Sequence, residues 1–164
     1  MPRTARSGSR SMPDRSYWMI VSSPENFART KRLRFAQQGM KSRHKSKAER
    51  MGPGDGLCWY VTGVQSFAGT ATITSPFFES HRKIWVSDGA PDDYPWRVRI
   101  KKEKVVAPET GVPAASLVPQ LRFVRKWPKA SWRLAFQGNV HELPAADFAL
   151  IARAVAERAR SRAA

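Results

Sequence analysis

The side chains able to do covalent or acid–base chemistry are few and scattered in this sequence. His44, His81 and His141 fall in three separate segments, with no i, i+4 pair and no cysteine or glutamate at metal-ligand spacing. Cys58, the one cysteine, lies in an apolar strand pattern and carries no signature linking it to a histidine. There is no Gly-x-Ser-x-Gly, and Gly52-Pro53-Gly54-Asp55-Gly56 lacks the Lys-Ser/Thr that completes a phosphate loop, so it reads as a turn. Asp88, Asp92 and Asp93 sit in a Gly/Pro-containing stretch and read as solvated turn residues. Nothing assembles a nucleophile, a base and an orienting group. The sequence therefore predicts no catalysis, no metal and no cofactor.

Recognition chemistry is better represented. Residues 17–21, Tyr-Trp-Met-Ile-Val, suit a strand buried on both faces and deliver Ser22, Ser23 and Asn26 at its end. Pro24 fits a first helical position and Ser23 before it fits an N-cap, so a helix is expected over 24–31. The polar trio then reads either as plain capping or as the lining of a pocket for something flat and polar. Aromatic residues cluster in the segments beside it: Trp18, Trp59, Tyr60, Phe67, Trp85, Tyr94 and Trp96. Core packing accounts equally well for Trp18, Trp59 and Phe67. Trp85 and Tyr94 lie in or beside a long polar connection, residues 76–93, where a core is harder to build, and are expected to be available to a ligand. Aromatic walls next to amide and hydroxyl groups are what holds an extruded base.

Charge points the same way. Lys and Arg number 29 against 13 Asp and Glu, for a net charge of +16 and a pI near 11.1, which calls for a polyanionic partner. Nine of the basic residues fall between Arg29 and Arg50, against Glu49 alone. Arg29, Lys31, Arg34, Lys41, Arg43, Lys45 and Lys47 are the candidates for holding phosphates, the alternative being a solvated charged face. Residues 1–16, rich in Arg, Ser and Gly, read as a disordered basic arm without the apolar segment of a signal peptide. The unpaired cysteine and the lack of any membrane-length apolar run predict a cytoplasmic protein with no membrane partner, nucleoid-associated in a bacterium.

The elements that must position these residues follow in order. Residues 33–40 have no clean period and are expected to be an ordered loop; 41–51 reads as a short basic helix. Residues 57–62 and 67–74 flank a four-residue turn and predict a hairpin. Its first strand should send Leu57, Trp59 and Val61 to one face and Cys58, Tyr60 and Thr62 to the other, while Gly69 marks a bulge or close approach in the second. Residues 95–100 alternate strictly, with Trp96, Val98 and Ile100 inward and Arg97 and Arg99 outward. Residues 114–117 should make a helical turn. A last helix opens at Pro144 and is expected to fray beyond Ala156, leaving a basic tail at 158–164. Without a βαβ rhythm, the class is α+β, a curved mixed sheet or small barrel flanked by short helices.

These blocks together resemble an EVE domain of the PUA-like superfamily, which also contains the YTH readers of methylated adenine. The resemblance is carried by Tyr17-Trp18-Met19-Ile20, Ser23-Pro24-Glu25-Asn26-Phe27, Pro53-Gly54-Asp55, Trp59-Tyr60-Val61-Thr62-Gly63, Phe67-Ala68-Gly69-Thr70-Ala71 and Tyr94-Pro95-Trp96-Arg97-Val98. It implies a domain over 17–157 and a non-catalytic reader of a modified base. Modified cytosine in DNA is the first expectation; an RNA module for tRNA, rRNA or methylated adenine, or a free-nucleotide-binding accessory protein, is the alternative. By position, Ser22, Ser23 and Asn26 match the region that contacts the base edge. Gln38-Gly39 stands where relatives often carry a stacking Trp, so the resemblance implies that this wall is either missing or supplied by Trp85, Tyr94 or Trp96, while Gln38 reads an edge. Trp18 and Tyr60 complete the candidate base-binding set. A nuclease or other effector is a possible partner.

Overall fold

In the computed structural model, which describes residues 15–163, the apolar run Tyr17–Ser22 forms strand β1. It pairs in parallel with β3 (Gly56–Val61), Tyr17 opposite Gly56 through Ser22 opposite Val61, and antiparallel with β8 (Val140–Leu143). Both faces of β1 and β3 are buried, which is why neither shows polar alternation. Trp18, Ile20, Leu57, Trp59 and Val61 enter one core, and Met19, Val21, Cys58 and Tyr60 enter another on the far face. Each such large side chain contributes about 1.5–3 kcal/mol by leaving water.

The sheet continues through β4 (Ser66–Ile73) and β6 (Trp96–Val105) to β2 (Gln37–Met40), giving the order β2-β6-β4-β3-β1-β8, with β5 (Phe78–Glu79) on β6 and β7 (Val112–Pro113) on β4. Opposite Trp59 and Tyr60 the partners are Gly69 and Phe67, so the bulge expected at Gly69 is present. A Cβ on Gly69 would lie 3.0 Å from Lys104 O, a close backbone approach. The first core fills the concave side of this curled sheet, closed by α1 (Pro24–Arg32) and α2 (Lys45–Glu49). The second lies under α3 (Ala114–Leu117), the 3-10 turns of 118–136 and α4 (Ala145–Ala163). The result is an α+β fold: a mixed curled sheet flanked by short helices.

Five expectations are corrected. Residues 33–40 are not all loop: Arg34 and Phe35 take positive φ (55° and 54°), turning the chain so that β2 can pair with β6, Gln37 opposite Arg99. Residues 41–51 are a 3-10 turn, Ser42–His44, followed by the short α2. Helix α4 does not fray at Ala156, because Arg158 Nη1 donates to Thr110 O and Gly111 O, both at 3.1 Å, and ties its later turns to the body. Arg97 does not face solvent: β5 and the 80–94 connection cover that side of β6, leaving it 1% exposed. Trp85, expected beside the ligand because its segment looked too polar for a core, is buried with Ile84 and Tyr94 in a small cluster of their own. The basic arm, but for Arg15 and Ser16, lies outside the described residues.

Candidate base-binding cleft

The C-terminal end of β1 opens into a cleft of about 240 Å³. Ser23 follows the strand and caps α1: its Oγ accepts from Asn26 N at 3.1 Å and its carbonyl accepts from Phe27 N at 2.9 Å. Ser23 lines the cleft, with Val21 and Thr62 beside it. Ser22 is buried, its Oγ donating to Ser23 O.

Asn26 builds one wall. Its Oδ1 accepts from Val86 N at 2.9 Å, and its Nδ2 donates to Val86 O at 2.8 Å and to Tyr94 Oη at 3.3 Å. Tyr94 Oη in turn donates to Val86 O at 3.1 Å. This amide therefore pins a distant strip of chain, Val86 to Gly89, against the strand end. Tyr94 adopts φ 52° and lines the cleft; burial holds its phenol above its ordinary pKa, so it stays protonated at neutral pH.

The opposite wall is Asn139, whose Nδ2 donates to Val21 O at 3.3 Å and whose Oδ1 accepts from Lys41 N at 3.0 Å. That bond sets Lys41 and Arg43 at the lip, with Lys41 Nζ 5.8 Å from the Tyr94 ring centroid. Asp92 fixes the same lip by accepting from Ser42 N at 3.2 Å and Tyr94 N at 2.9 Å. Asp88 lines the cleft with the two cations. The cleft thus offers one aromatic ring, aliphatic Val21 and Val86, two hydroxyls, a carboxylate and two cations. Such a set can hold a small flat heterocycle bearing N–H donors and an attached anion. The volume sits below the ~300 Å³ at which drug-sized sites begin.

Of the predicted base-binding residues, the structure brings Ser23, Asn26 and Tyr94 to this cleft, with Ser22 just behind. The others lie elsewhere. Trp18 is fully buried and its Nε1 donates to Asp55. Tyr60 stacks on Phe136 in the far core, centroids 4.4 Å apart. Gln38 is buried, accepting from Trp59 Nε1 at 2.7 Å and donating to Gly39 O, so its amide has no free edge to read with. Gly39 backs onto Trp85, and a Cβ there would meet the indole ring and Tyr94 O at 3.0 Å. Trp85 stands behind Tyr94 and donates to Thr30 Oγ1 at 2.9 Å. Trp96 is half-buried near the lip, its Nε1 donating to Ser42 O and Lys45 Nζ 5.2 Å from its ring centroid.

Of the predicted phosphate-binding residues, Lys41 and Arg43 line the cleft, Lys45 and Lys47 flank it on α2, and Arg29 is engaged with Ile84 O and Glu25. Lys31 and Arg34 are exposed at the C-terminal end of α1, away from the cleft. Sequence reasoning missed Thr62, Val86, Asp88 and Asn139; a Gly-Asn pair just ahead of β8 was the one visible signal among them. Among the described residues no three potential metal ligands come together, and no helix is long and apolar enough to cross a membrane.

The EVE domain family model matches residues 16–154. UPF0310 protein PH1033 of Pyrococcus horikoshii is 29% identical over 147 residues, covering 83% of this chain and 96% of that protein. UPF0310 protein PYRAB08750 of Pyrococcus abyssi is 27% identical over 145 residues with the same coverage. Among solved structures, the YTH domain-containing protein mmi1 in complex with RNA superposes with a TM-score of 0.65 at 13% identity, covering 96% of this chain and 90% of that one. A hypothetical protein from Leishmania major gives 0.61 at 16% identity, covering 90% and 99%. The fold is therefore the YTH-like, PUA-like one.

Proposed function

Because the chain belongs to the EVE domain family, we propose that it is a nucleic-acid reader that takes one base, most readily a modified cytosine in DNA, into the cleft at the end of β1. The observation that carries this is the cleft's make-up: a base-sized space with Tyr94 for stacking, Asp88 to accept an exocyclic N–H, and Lys41 and Arg43 where the attached phosphate must pass. Lys41 stands over the Tyr94 ring, so a base sliding onto that ring displaces an ammonium that can turn to the phosphate. The small apolar surfaces of Val21 and Val86 suit a methyl-sized substituent.

The same chemistry suits methylated adenine in RNA, a second reading favoured by the likeness to an RNA-bound YTH domain. Tryptophan fluorescence titrations discriminate the two. Matched oligonucleotides carrying cytosine, 5-methylcytosine, 5-hydroxymethylcytosine, adenine or N6-methyladenine are compared as DNA and as RNA at two salt concentrations. A salt-resistant preference for a modified cytosine in DNA is the expected outcome. Preference for N6-methyladenine in RNA establishes the second reading, and salt-sensitive binding that ignores the base defeats both. Tyr94→Ala should cut the preferred ligand by about 1–3 kcal/mol, the usual worth of one stacked base. Tyr94→Phe, which keeps the ring, should retain most of the affinity.

A further inference from the structure

We propose that His44, Lys47, Lys126 and His141, beside the cleft, form a second anion site that holds a phosphate of the nucleotide next to the bound base and takes up a proton as it fills. The placement of that phosphate rests on reading the cleft as the base site.

Three stretches of chain meet here. Arg43 and His44 come from the turn before α2 and Lys47 from α2; His141 comes from β8 and Lys126 from the loop ahead of 129–136. Lys47 Nζ donates to Val140 O at 2.7 Å, which sets its ammonium beside His141. Arg43 Nε donates to His44 Nε2 at 3.3 Å, so that ring nitrogen acts as an acceptor and the imidazole is neutral. The cluster shares a border with the cleft on two sides. Arg43 lines both, and Gly138, which lines the cleft, would place a Cβ 3.5 Å from His141 Nε2.

The charges acting on His44 are the cations Lys47, Arg43 and Lys41, with His141 adding repulsion only when it is itself protonated; those acting on His141 are Lys47 and Lys126, with Gln137 O as its hydrogen-bond partner. Lys47 in turn faces Arg50, Arg43 and Lys126. The neighbouring carboxylate, Glu142, is ion-paired with Arg50, and Glu49 is exposed on α2. Among the described residues no carboxylate acts on either imidazole, and the cations gathered around them repel one another, an arrangement that a bound anion relieves. Burial and then this repulsion hold His44 down at about 4 and His141 below its ordinary value, so both rings are neutral at pH 7. A phosphate placed among them raises both. Binding then takes up protons, and affinity climbs as pH falls, by about tenfold per pH unit for each proton fully taken up.

The test uses the full chain and a short unmodified oligothymidylate. Calorimetric titrations at about pH 6 in buffers of different ionisation enthalpy read the protons taken up, and NMR titrations of the two imidazoles with and without the oligonucleotide read their pKa values. Net uptake, with both pKa values rising in the complex, is the expected result. His44→Gln with His141→Gln should abolish the uptake and flatten the dependence of affinity on pH. Lys126→Glu, at an exposed position, should weaken binding several-fold and raise the His141 pKa in the free protein. Imidazole pKa values that do not move on binding, or uptake that survives the double substitution, overturn the inference. Absence of uptake with base discrimination intact defeats only this site; uptake on oligothymidylate with no base discrimination in the modified series defeats only the base-reading of the cleft.

Discussion

At the scale of single residues, two buried amides that look alike in the sequence do different jobs. Asn26 ties Val86 through both its oxygen and its nitrogen and also bonds Tyr94 Oη, so it holds the cleft wall without offering an edge of its own. Asn26→Ala should cost about 2 kcal/mol in denaturant unfolding, as buried partners lose their bonds, and should also abolish base discrimination because Val86 and Asp88 lose their position. Gln38 accepts the Trp59 indole N–H deep in the concave core. Gln38→Ala should cost a similar ~1–3 kcal/mol by leaving that N–H unpaired, yet leave the choice of base unchanged. A Gln38→Ala protein that folds normally but loses its preference for one base would return Gln38 to the binding site. Ser23 shows why such assignments are hard to read from sequence. Its capping bond to Asn26 N was visible in Ser-Pro-Glu-Asn, and its place on the cleft depends on Asn139, more than a hundred residues away.

At the scale of elements, the connection between β4 and β6 is the part of the molecule on which the cleft most depends. It has little secondary structure, and Arg97 organises it. Arg97 Nε donates to Tyr94 O at 3.0 Å, Nη1 to Ser80 Oγ at 3.1 Å, and Nη2 to Asp93 O and Arg82 O, while its guanidinium lies 5.1 Å from the Trp85 ring centroid. A single planar fork thus satisfies three carbonyls of a strip that has few ladder bonds. Arg97→Leu should destabilise the protein by about 3 kcal/mol and expose residues 80–94 to limited proteolysis, whereas Arg97→Lys, with one compact donor, should recover only part of the loss. Equal protease resistance in wild type and Arg97→Leu would show that the strip is held by other means. The strands β1, β3 and the inward face of β6 were legible because burial writes itself into apolar runs and alternation. The β2 strand and the buried Arg97 were not: both arise from what the 76–93 connection and the 34–35 turn do in three dimensions, and neither alters the local hydrophobic period. The same reason hid Trp85, whose polar neighbours in sequence, Lys83 and Asp88, are turned to the surface while the indole packs under Tyr94.

At the scale of the whole molecule, a net charge of +16 makes pH and salt act on binding and folding together. Replacing Lys45 and Arg43 by Ala should lower the slope of log affinity against log salt by about 1.4 for a single strand, two phosphate contacts at roughly 0.7 each. An unchanged slope would place both side chains off the phosphate path. For folding the histidines set opposing trends. His44 and His141 have folded pKa values below the unfolded 6.5, so between about 6.5 and the folded value the unfolded chain binds more protons and stability is lost as pH falls. His81 is the reverse: its hydrogen bonds to Glu79 and then Asp93 raise its pKa, so its contribution is present below 6.5 and is lost as pH rises through the folded value. His81 is fully exposed, where water screens such pairs, while the other two are partly buried among cations, so the destabilising trend should win. The thermal midpoint of the wild type should therefore fall as pH drops from about 7 to 5. His44→Gln with His141→Gln should flatten that fall or reverse it, uncovering the His81 trend, and His81→Gln in that background should leave the curve flat. A double variant that loses stability with acid as steeply as the wild type would place the acid-sensitive groups elsewhere, among the carboxylates.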